Sequence, residues 1–168
     1  MIVVDSNVIA YCWILGDRTE LAQRVRLRDA AWHVPVLWRS EVRSALAGYM
    51  GQGTITPDRA TTIMTAAENT LAGCKHLVAS QAVLELAGRT RLSAYDCEYV
   101  ALAQSLAVPF VTEDRAVLKA CPEVAITMEG FLERVPASPP AAHERRPRYR
   151  GSTRLGRSSS SRRSLARS

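Results

Sequence analysis

Four carboxylates lie at positions where a folded α/β domain normally has no unpaired charge. Asp5 closes the first apolar run of the chain, and Asp114 follows a second such run with one residue between. Glu41 and Asp96 lie within helical patterns whose neighbours are mostly apolar. An unpaired carboxylate beside a core costs several kcal/mol, and a divalent cation is the partner that satisfies several acids at once. These positions therefore predict a metal site.

The chemistry of such a site follows from its oxygen ligands. Mg²⁺ and Mn²⁺ prefer carboxylates and water, and either ion lowers the pKa of water and offsets charge on a phosphodiester. Phosphoryl chemistry is the natural use of this arrangement. Taken singly, each acid also fits a structural role: Asp5, Asp96 and Asp114 could each cap a helix, and Glu41 could pair with an arginine of its own helix.

Strand-like and helical patterns alternate along the chain, with no tight hairpin signal between strands. Strands are predicted at 2–5, 33–35, 75–78, 108–112 and 124–127. Helices are predicted at about 6–16, 19–31, 37–50, 56–71, 80–87, 93–107, 114–119 and 129–134, with Thr19 and Ser93 as caps. This order predicts an α/β fold with a parallel sheet between two helical layers, in which ligands bind at the carboxyl ends of the strands. Asp5 and Asp114 both lie at such ends.

Charge divides the chain into two parts. Of 168 residues, the segment 136–168 holds nine of the 22 basic residues and one of the 16 acidic residues. The first 135 residues contain 13 basic and 15 acidic groups. The net positive charge of the protein therefore comes from residues 136–168 alone. We predict one domain at 1–134 and a disordered Pro/Ser/Arg-rich basic tail at 135–168.

The four cysteines show neither a C-x-x-C pair nor the spacing of a secreted disulfide scaffold. The apolar beginning of the chain lacks the basic segment of a signal peptide and is interrupted by Asp5 and Asn7. No run approaches the roughly 20 apolar residues needed to span a bilayer. These features predict a cytoplasmic protein with reduced thiols and no membrane partner. The three histidines show no zinc spacing.

Four blocks of the sequence resemble the PIN-domain family of ribonucleases, and within it the VapC-type toxins of bacterial toxin–antitoxin modules. The blocks are IVVDSNV at 2–8, SEVRSAL at 40–46, SAYDCEYVALA at 93–103 and FVTEDRAVL at 110–118. Their order and spacing are similar to the family pattern over residues 1 to about 131, and the combination is far more specific than any one block. The Arg-rich tail departs from the pattern, since these toxins are usually more compact.

The resemblance implies a three-layer α/β/α PIN domain with a short, mostly parallel sheet. It also implies a Mg²⁺- or Mn²⁺-dependent endoribonuclease that acts on single-stranded or looped RNA. Carried over position by position, Asp5, Glu41, Asp96 and Asp114 would bind metal and activate the attacking water. Asn7 would orient a ligand or water. Thr112 would hydrogen-bond within the acidic cluster, although a purely structural role is equally open.

The same resemblance implies a cognate antitoxin that inhibits the enzyme, and a homodimer. A partner groove would be lined by helices near the active site. Its candidate residues, for which ordinary core packing is the alternative, are Tyr11, Trp13, Leu15, Trp38 and Tyr49.

Two other functions are weighed against this one. A haloacid-dehalogenase-like phosphatase needs an acid two residues after the strand-end Asp5, but Asn7 occupies that position. A non-catalytic PIN-like RNA-binding or scaffold protein acting through the basic tail would have no need to keep four costly acids. Two further acids, Glu98 and Glu113, are predicted to turn away from the site as solvated or peripheral groups.

Overall fold

The computed structural model describes residues 1–134, and the predicted tail at 135–168 lies outside the described residues. Five strands alternate with helices in this part of the chain. The strands are β1 (Ile2–Val4), β2 (Trp32–Pro35), β3 (Lys75–His76), β4 (Phe110–Val111) and β5 (Ala125–Ile126). The helices are α1 (Ser6–Trp13), α2 (Thr19–Arg28), α3 (Trp38–Gly51), α4 (Pro57–Thr70), α5 (Ser80–Thr90), α6 (Ala94–Leu106), α7 (Arg115–Ala120) and α8 (Met128–Glu133).

The five strands form one sheet in the order β3-β2-β1-β4-β5, and every pair is parallel. The sequence predicted a mostly parallel sheet, and the structure confirms it in the stricter all-parallel form. The first strand lies at the centre, with Val3 opposite Phe110 and Val4 opposite Val111. The chain winds outward in both directions from β1, so the strand order reverses between β1 and β4. Ligands of open parallel sheets bind at this reversal, beyond the carboxyl ends of the strands.

Side chains of each strand alternate between two hydrophobic cores, one on each face of the sheet. Ile2, Val4 and Val111 point into the core shared with α1, α2, α3, α4 and α8. Val3 and Phe110 point into the core shared with α5, α6 and α7. This is a three-layer α/β/α arrangement, which confirms the predicted fold class.

Several helix boundaries follow from local sequence signals. Thr56 caps α4 by accepting the main-chain N–H of Arg59, and Pro57 occupies the first turn, where its missing N–H is harmless. Ser93 caps α6 by accepting the N–H of Asp96 at 3.1 Å. These are the starts that the sequence predicted, and the structure confirms both.

The prediction was wrong at the start of α2. Thr19 is the first residue of the helix rather than its cap, and Arg18 is the flanking residue. The buried Thr19 hydroxyl instead donates to the Ile14 carbonyl at 2.7 Å and accepts the Gly16 N–H at 3.0 Å. It closes the loop between α1 and α2, a contact that helix-capping rules do not anticipate.

No helix among residues 1–134 is both long and apolar enough to cross a membrane. The longest of them, α3 and α4, have 14 residues each.

Candidate active site

The first site residues lie at the ends of the two central strands. Because Asp5 continues the alternation of β1 two residues beyond Val3, its side chain points to the α6 face of the sheet, as does Thr112 two residues beyond Phe110. Thr112 is fully buried and donates from Oγ1 to Asp5 Oδ2 at 2.5 Å. The carboxylate of Asp5 is thereby held at the point where the strand order reverses.

Glu41 reaches the same edge from the first turn of α3. The buried face of that helix consists of Trp38, Val42 and Leu46, and Glu41 lies half-buried at the edge of this helix face. Its Oε2 accepts a hydrogen bond of 2.5 Å from the phenol of Tyr99.

Glu41 does not form the ion pair with an arginine of its own helix that the sequence left as an alternative. Arg39 pairs with Glu68 on α4 instead. The guanidinium of Arg43 donates to the Arg39 carbonyl at 3.0 Å and to Ser40 at 3.2 Å.

Asp96 enters the site from the first turn of α6. Ser93 donates from its hydroxyl to Asp96 Oδ2 at 2.7 Å while accepting the Asp96 N–H at 3.1 Å, a reciprocal cap that fixes the carboxylate. The negative charge of Asp96 raises the pKa values of both Asp5 and Glu41. Three acids from β1, α3 and α6 are therefore close enough to interact electrostatically.

Burial is the main cause of the raised pKa values of Asp5 and Glu41. Loss of solvent raises the pKa of Asp5, opposed by hydrogen bonds from Thr112, Asn7 and Ser6 and reinforced by the charge of Asp96. Burial likewise raises the pKa of Glu41, opposed by the Tyr99 hydroxyl and reinforced by Asp5. Raised carboxyl pKa values are characteristic of functional sites.

Within residues 1–134, no ion pair involves Asp5, Glu41, Asp96 or Asp114. The cluster therefore carries negative charge that no basic side chain of the described domain neutralises.

Asp114 occupies the edge of this arrangement in a structural role. Its Oδ1 accepts the main-chain N–H groups of Ala116 and Val117 at 2.7 and 3.0 Å, which caps α7. Its own N–H donates to Thr112 Oγ1 at 3.0 Å, so one hydroxyl links it to Asp5. The cap that the sequence left open for this residue is present.

Asn7 lies beside the cluster with an exposed side chain. Its main-chain N–H donates to Asp5 Oδ1 at 3.2 Å, and the hydroxyl of Ser6 donates to the same oxygen at 3.2 Å. The start of α1 thus supports the second oxygen of Asp5, and the side chain of Asn7 faces solvent.

The sequence interpretation missed Tyr99 and the contact role of Ser6. Tyr99 is buried, with its ring stacked on Phe110 at 5.5 Å between centroids and 7° between planes. Ser6 is buried and donates from its hydroxyl to Asp5 Oδ1 at 3.2 Å. The only signal for Tyr99 was its position three residues after Asp96, which places both on one face of α6.

The two acids predicted to be solvated or peripheral are both half-buried rather than solvated. Within residues 1–134 no hydrogen bond or ion pair joins either of them to Asp5, Glu41, Asp96 or Asp114, so both are peripheral to the site. Glu113 accepts the N–H of Met128 at the start of α8 and pairs with Arg18 at 3.0 Å. It is a structural tie between the β4 end, α8 and the loop before α2. Burial raises the pKa of Glu98 on α6.

The structure also revises the groove prediction. Trp38 is completely buried in the core and cannot line a surface groove. Tyr11, Trp13 and Tyr49 are half-buried, and Leu15 is 85% exposed.

The donor set fits a hard divalent cation by its chemistry. Every candidate ligand is a carboxylate oxygen, and two of the acids have raised pKa values and no cationic partner in the described domain. Among residues 1–134, however, no three acidic, histidine or cysteine side chains already have the arrangement of a metal centre. Mg²⁺ keeps several waters and needs few protein ligands, so water would complete its coordination.

Comparisons with known proteins agree with this architecture. The crystal structure of PAE2754 from Pyrobaculum aerophilum superimposes with a TM-score of 0.63 at 20% identity, covering 78% of this chain and 92% of that one. No curated protein matches the sequence significantly. The family model of the PIN domain matches residues 2–122, which include all four acids. This match spans most of the chain, and the chain belongs to the PIN domain family.

Proposed function

We propose that this protein is a metal-dependent endoribonuclease that hydrolyses RNA phosphodiester bonds. Nuclease activity with divalent metal ions is general among PIN domains. The observation that carries the proposal is the meeting of Asp5, Glu41 and Asp96 at the reversal of the sheet, with raised pKa values on two of them and no basic partner in the described domain.

In this proposal Asp5, Glu41, Asp96 and Asp114 hold Mg²⁺ or Mn²⁺. The ion supplies positive charge that lowers the pKa of water and offsets the charge developing on the phosphodiester. Thr112 holds Asp5 through its 2.5 Å hydrogen bond. The exposed amide of Asn7 is free to orient a water or a phosphate oxygen.

A polymeric substrate agrees with the exposure of the acids. Asp5, Glu41, Asp96 and Asp114 are each partly exposed, and the side chain of Asn7 beside them is exposed. They lie at the carboxyl ends of the strands, where open parallel sheets bind ligands. The phosphate groups of a nucleic-acid backbone could reach them there.

Cleavage of an end-labelled RNA pool tests the proposal. Purified protein with Mg²⁺ or Mn²⁺ should cut RNA, and EDTA or Asp96→Asn should abolish the cuts without loss of fold. The asparagine keeps an oxygen that accepts from Ser93, so the α6 cap survives. Failure of folded protein, free of bound partner, to cut any of several RNA classes would instead favour a non-catalytic RNA-binding protein acting through the basic tail.

The biological role proposed is that of the toxin of a toxin–antitoxin module, in the cytoplasm and as a homodimer. An apolar surface around the end of α1, between α2 and α4, supports a protein partner. Trp13, Leu15 and Ile55 line a cavity of about 310 Å³ there, and the exposed Leu27 borders a second of about 460 Å³ that also includes Trp13. The proposed antitoxin would cover this surface.

Expression without the antitoxin should arrest growth, and the Asp96→Asn protein should be harmless at the same level. Growth unaffected by soluble, metal-supplied wild-type protein would contradict the toxin role while leaving the nuclease proposal to the cleavage assay. Light scattering of the purified protein tests the dimer independently.

A further inference from the structure

Tyr99 connects three of the elements that carry the acidic site. It lies on α6, three residues after Asp96, so the two side chains leave neighbouring turns of the same face. Its hydroxyl reaches α3, where it donates to Glu41 Oε2 at 2.5 Å. Its ring stacks on Phe110 of β4, two residues before Thr112. A single side chain thus connects the helix of Asp96, the helix of Glu41 and the strand that leads to Thr112.

The hydroxyl of Tyr99 is committed to this contact. The residue is only 2% exposed, so water does not compete strongly for its proton. A phenol is protonated at physiological pH, and the 2.5 Å contact makes it the donor to the Glu41 carboxylate. A neutral donor on a carboxylate is a charge-assisted hydrogen bond, about twice as strong as one between neutral groups.

We propose that Tyr99 is a positioning residue that holds the Glu41 carboxylate in the orientation needed to bind the divalent cation. This inference rests on the proposed metal-dependent function and deepens it. The Tyr99 hydroxyl donates to Oε2 of Glu41 and leaves Oε1 available to bind the ion. Without it, Glu41 would keep its place on α3 but lose the contact that fixes its terminal rotation, and ordering the carboxylate would then oppose metal binding.

A merely structural role for Tyr99 makes a different prediction. If the ring only filled space between α6 and β4, removing the hydroxyl would leave Mn²⁺ affinity unchanged, since Phe keeps the ring and its stack on Phe110. If the hydroxyl supported the fold in general, its loss would weaken Mn²⁺ binding equally whether or not Glu41 carries a carboxylate. Only a positioning role makes the effect of Tyr99→Phe on Mn²⁺ affinity depend on the carboxylate of Glu41.

The experiment is a double-mutant cycle read by Mn²⁺ binding, using calorimetry or the paramagnetic resonance signal of free Mn²⁺ on the full chain. Tyr99→Phe should weaken Mn²⁺ binding by roughly tenfold, the lower end for groups that orient metal ligands. In the Glu41→Gln background the same change should alter affinity by less than about twofold, because the carboxylate that Tyr99 positions is no longer there. Independent effects would instead add and give the same loss in both backgrounds. Tyr95→Phe is the matched control, because Tyr95 lies on the same helix with 66% exposure.

Each result decides the proposal. Unchanged affinity in Tyr99→Phe, or equal losses in both Glu41 backgrounds, would overturn it. If Tyr99→Phe is destabilised, the cycle is run at a temperature where all four proteins are folded by circular dichroism, and the same comparison applies. Wild-type protein that binds no Mn²⁺ would overturn both this inference and the metal site. Protein that binds Mn²⁺ with the expected cycle but cuts no RNA would sustain the inference and remove the nuclease function.

Discussion

Thr112 Oγ1 donates to Asp5 Oδ2 at 2.5 Å and accepts the main-chain N–H of Asp114 at 3.0 Å. One fully buried hydroxyl therefore joins the carboxyl end of β1 to that of β4 and to the start of α7. The donor and acceptor capacities of the hydroxyl are both used, so no other side chain of similar size except serine could replace it.

Thr112→Val should reduce the free energy of unfolding by about 1–3 kcal/mol, because it preserves shape but leaves the Asp114 N–H without its acceptor. Thr112→Ser should recover most of this loss. Urea denaturation measures both. Thr62→Val is the control: its exposed hydroxyl donates to a carbonyl of its own helix, and its loss should change stability by less than about 0.5 kcal/mol. Equal stability of the valine and serine variants at position 112 would contradict the proposed link.

Two substitutions of Asp114 separate its cap from its proposed metal role. Asp114→Asn keeps an oxygen for the Ala116 and Val117 N–H groups, so stability should hardly change. Asp114→Ala removes the cap and should cost about 1 kcal/mol. If Asp114 binds metal, both variants should lose cleavage activity to a similar extent. Full activity in the asparagine variant would assign Asp114 to the cap alone.

Asp5 and Glu41 should make the metal-free protein less stable as pH rises. Their pKa values are raised above the ordinary 3.8 and 4.5, so the folded state holds these protons more tightly than the unfolded chain. The associated stability is fully present below the ordinary values and is lost as pH rises through the raised pKa values. Melting curves from pH 4 to 8 in EDTA should show this loss, and Asp5→Asn should reduce it. An identical pH profile for Asp5→Asn would contradict it.

Saturating Mn²⁺ should counter the loss of stability at neutral pH, since binding to the folded state alone raises stability by mass action. A concentration a hundredfold above Kd corresponds to about 2.7 kcal/mol. The stabilisation should disappear in Asp96→Asn. Equal stabilisation of that variant by Mn²⁺ would mean that the ion binds elsewhere.

Asp96→Asn should also stabilise the metal-free protein. It removes a charge that raises the pKa values of Asp5 and Glu41 while keeping an acceptor for the Ser93 hydroxyl. We expect the melting temperature in EDTA to rise by roughly 3 °C, equivalent to about 1 kcal/mol in a domain of this size. Asp17→Asn, at an exposed loop position, controls for the general loss of negative charge. A lower melting temperature for Asp96→Asn would contradict the repulsion.

The sequence predicted the fold well wherever local signals were strong. Residues such as Thr56 and Ser93 located helix starts, and apolar runs located the two central strands β1 and β4. The end of α5 was predicted three residues too early. The helix reaches Thr90 and ends at Arg91 in the left-handed conformation, with φ 62°, a position where glycine is the usual signal.

The site was predictable only in part. The proximity of Asp5 and Thr112 follows from the predicted fold, because parallel strands end at one edge of the sheet. The contact between Glu41 and Tyr99 joins two helices across 58 residues of sequence and depends on how α3 and α6 pack. Periodicity shows which residues share a face of one helix, but it does not show which residue of another helix that face meets.

The central position of β1 also sets when the site can form during synthesis. The hydrogen bond between Asp5 and Thr112 spans 107 positions of the chain, and β1 pairs on one side with a strand made near the end of the domain. Local helices form early in folding, whereas such distant pairings must wait. A ribosome-bound chain that has not yet exposed β4 holds Asp5 without its partner, so hydrolytic competence would arise only once the domain is nearly complete.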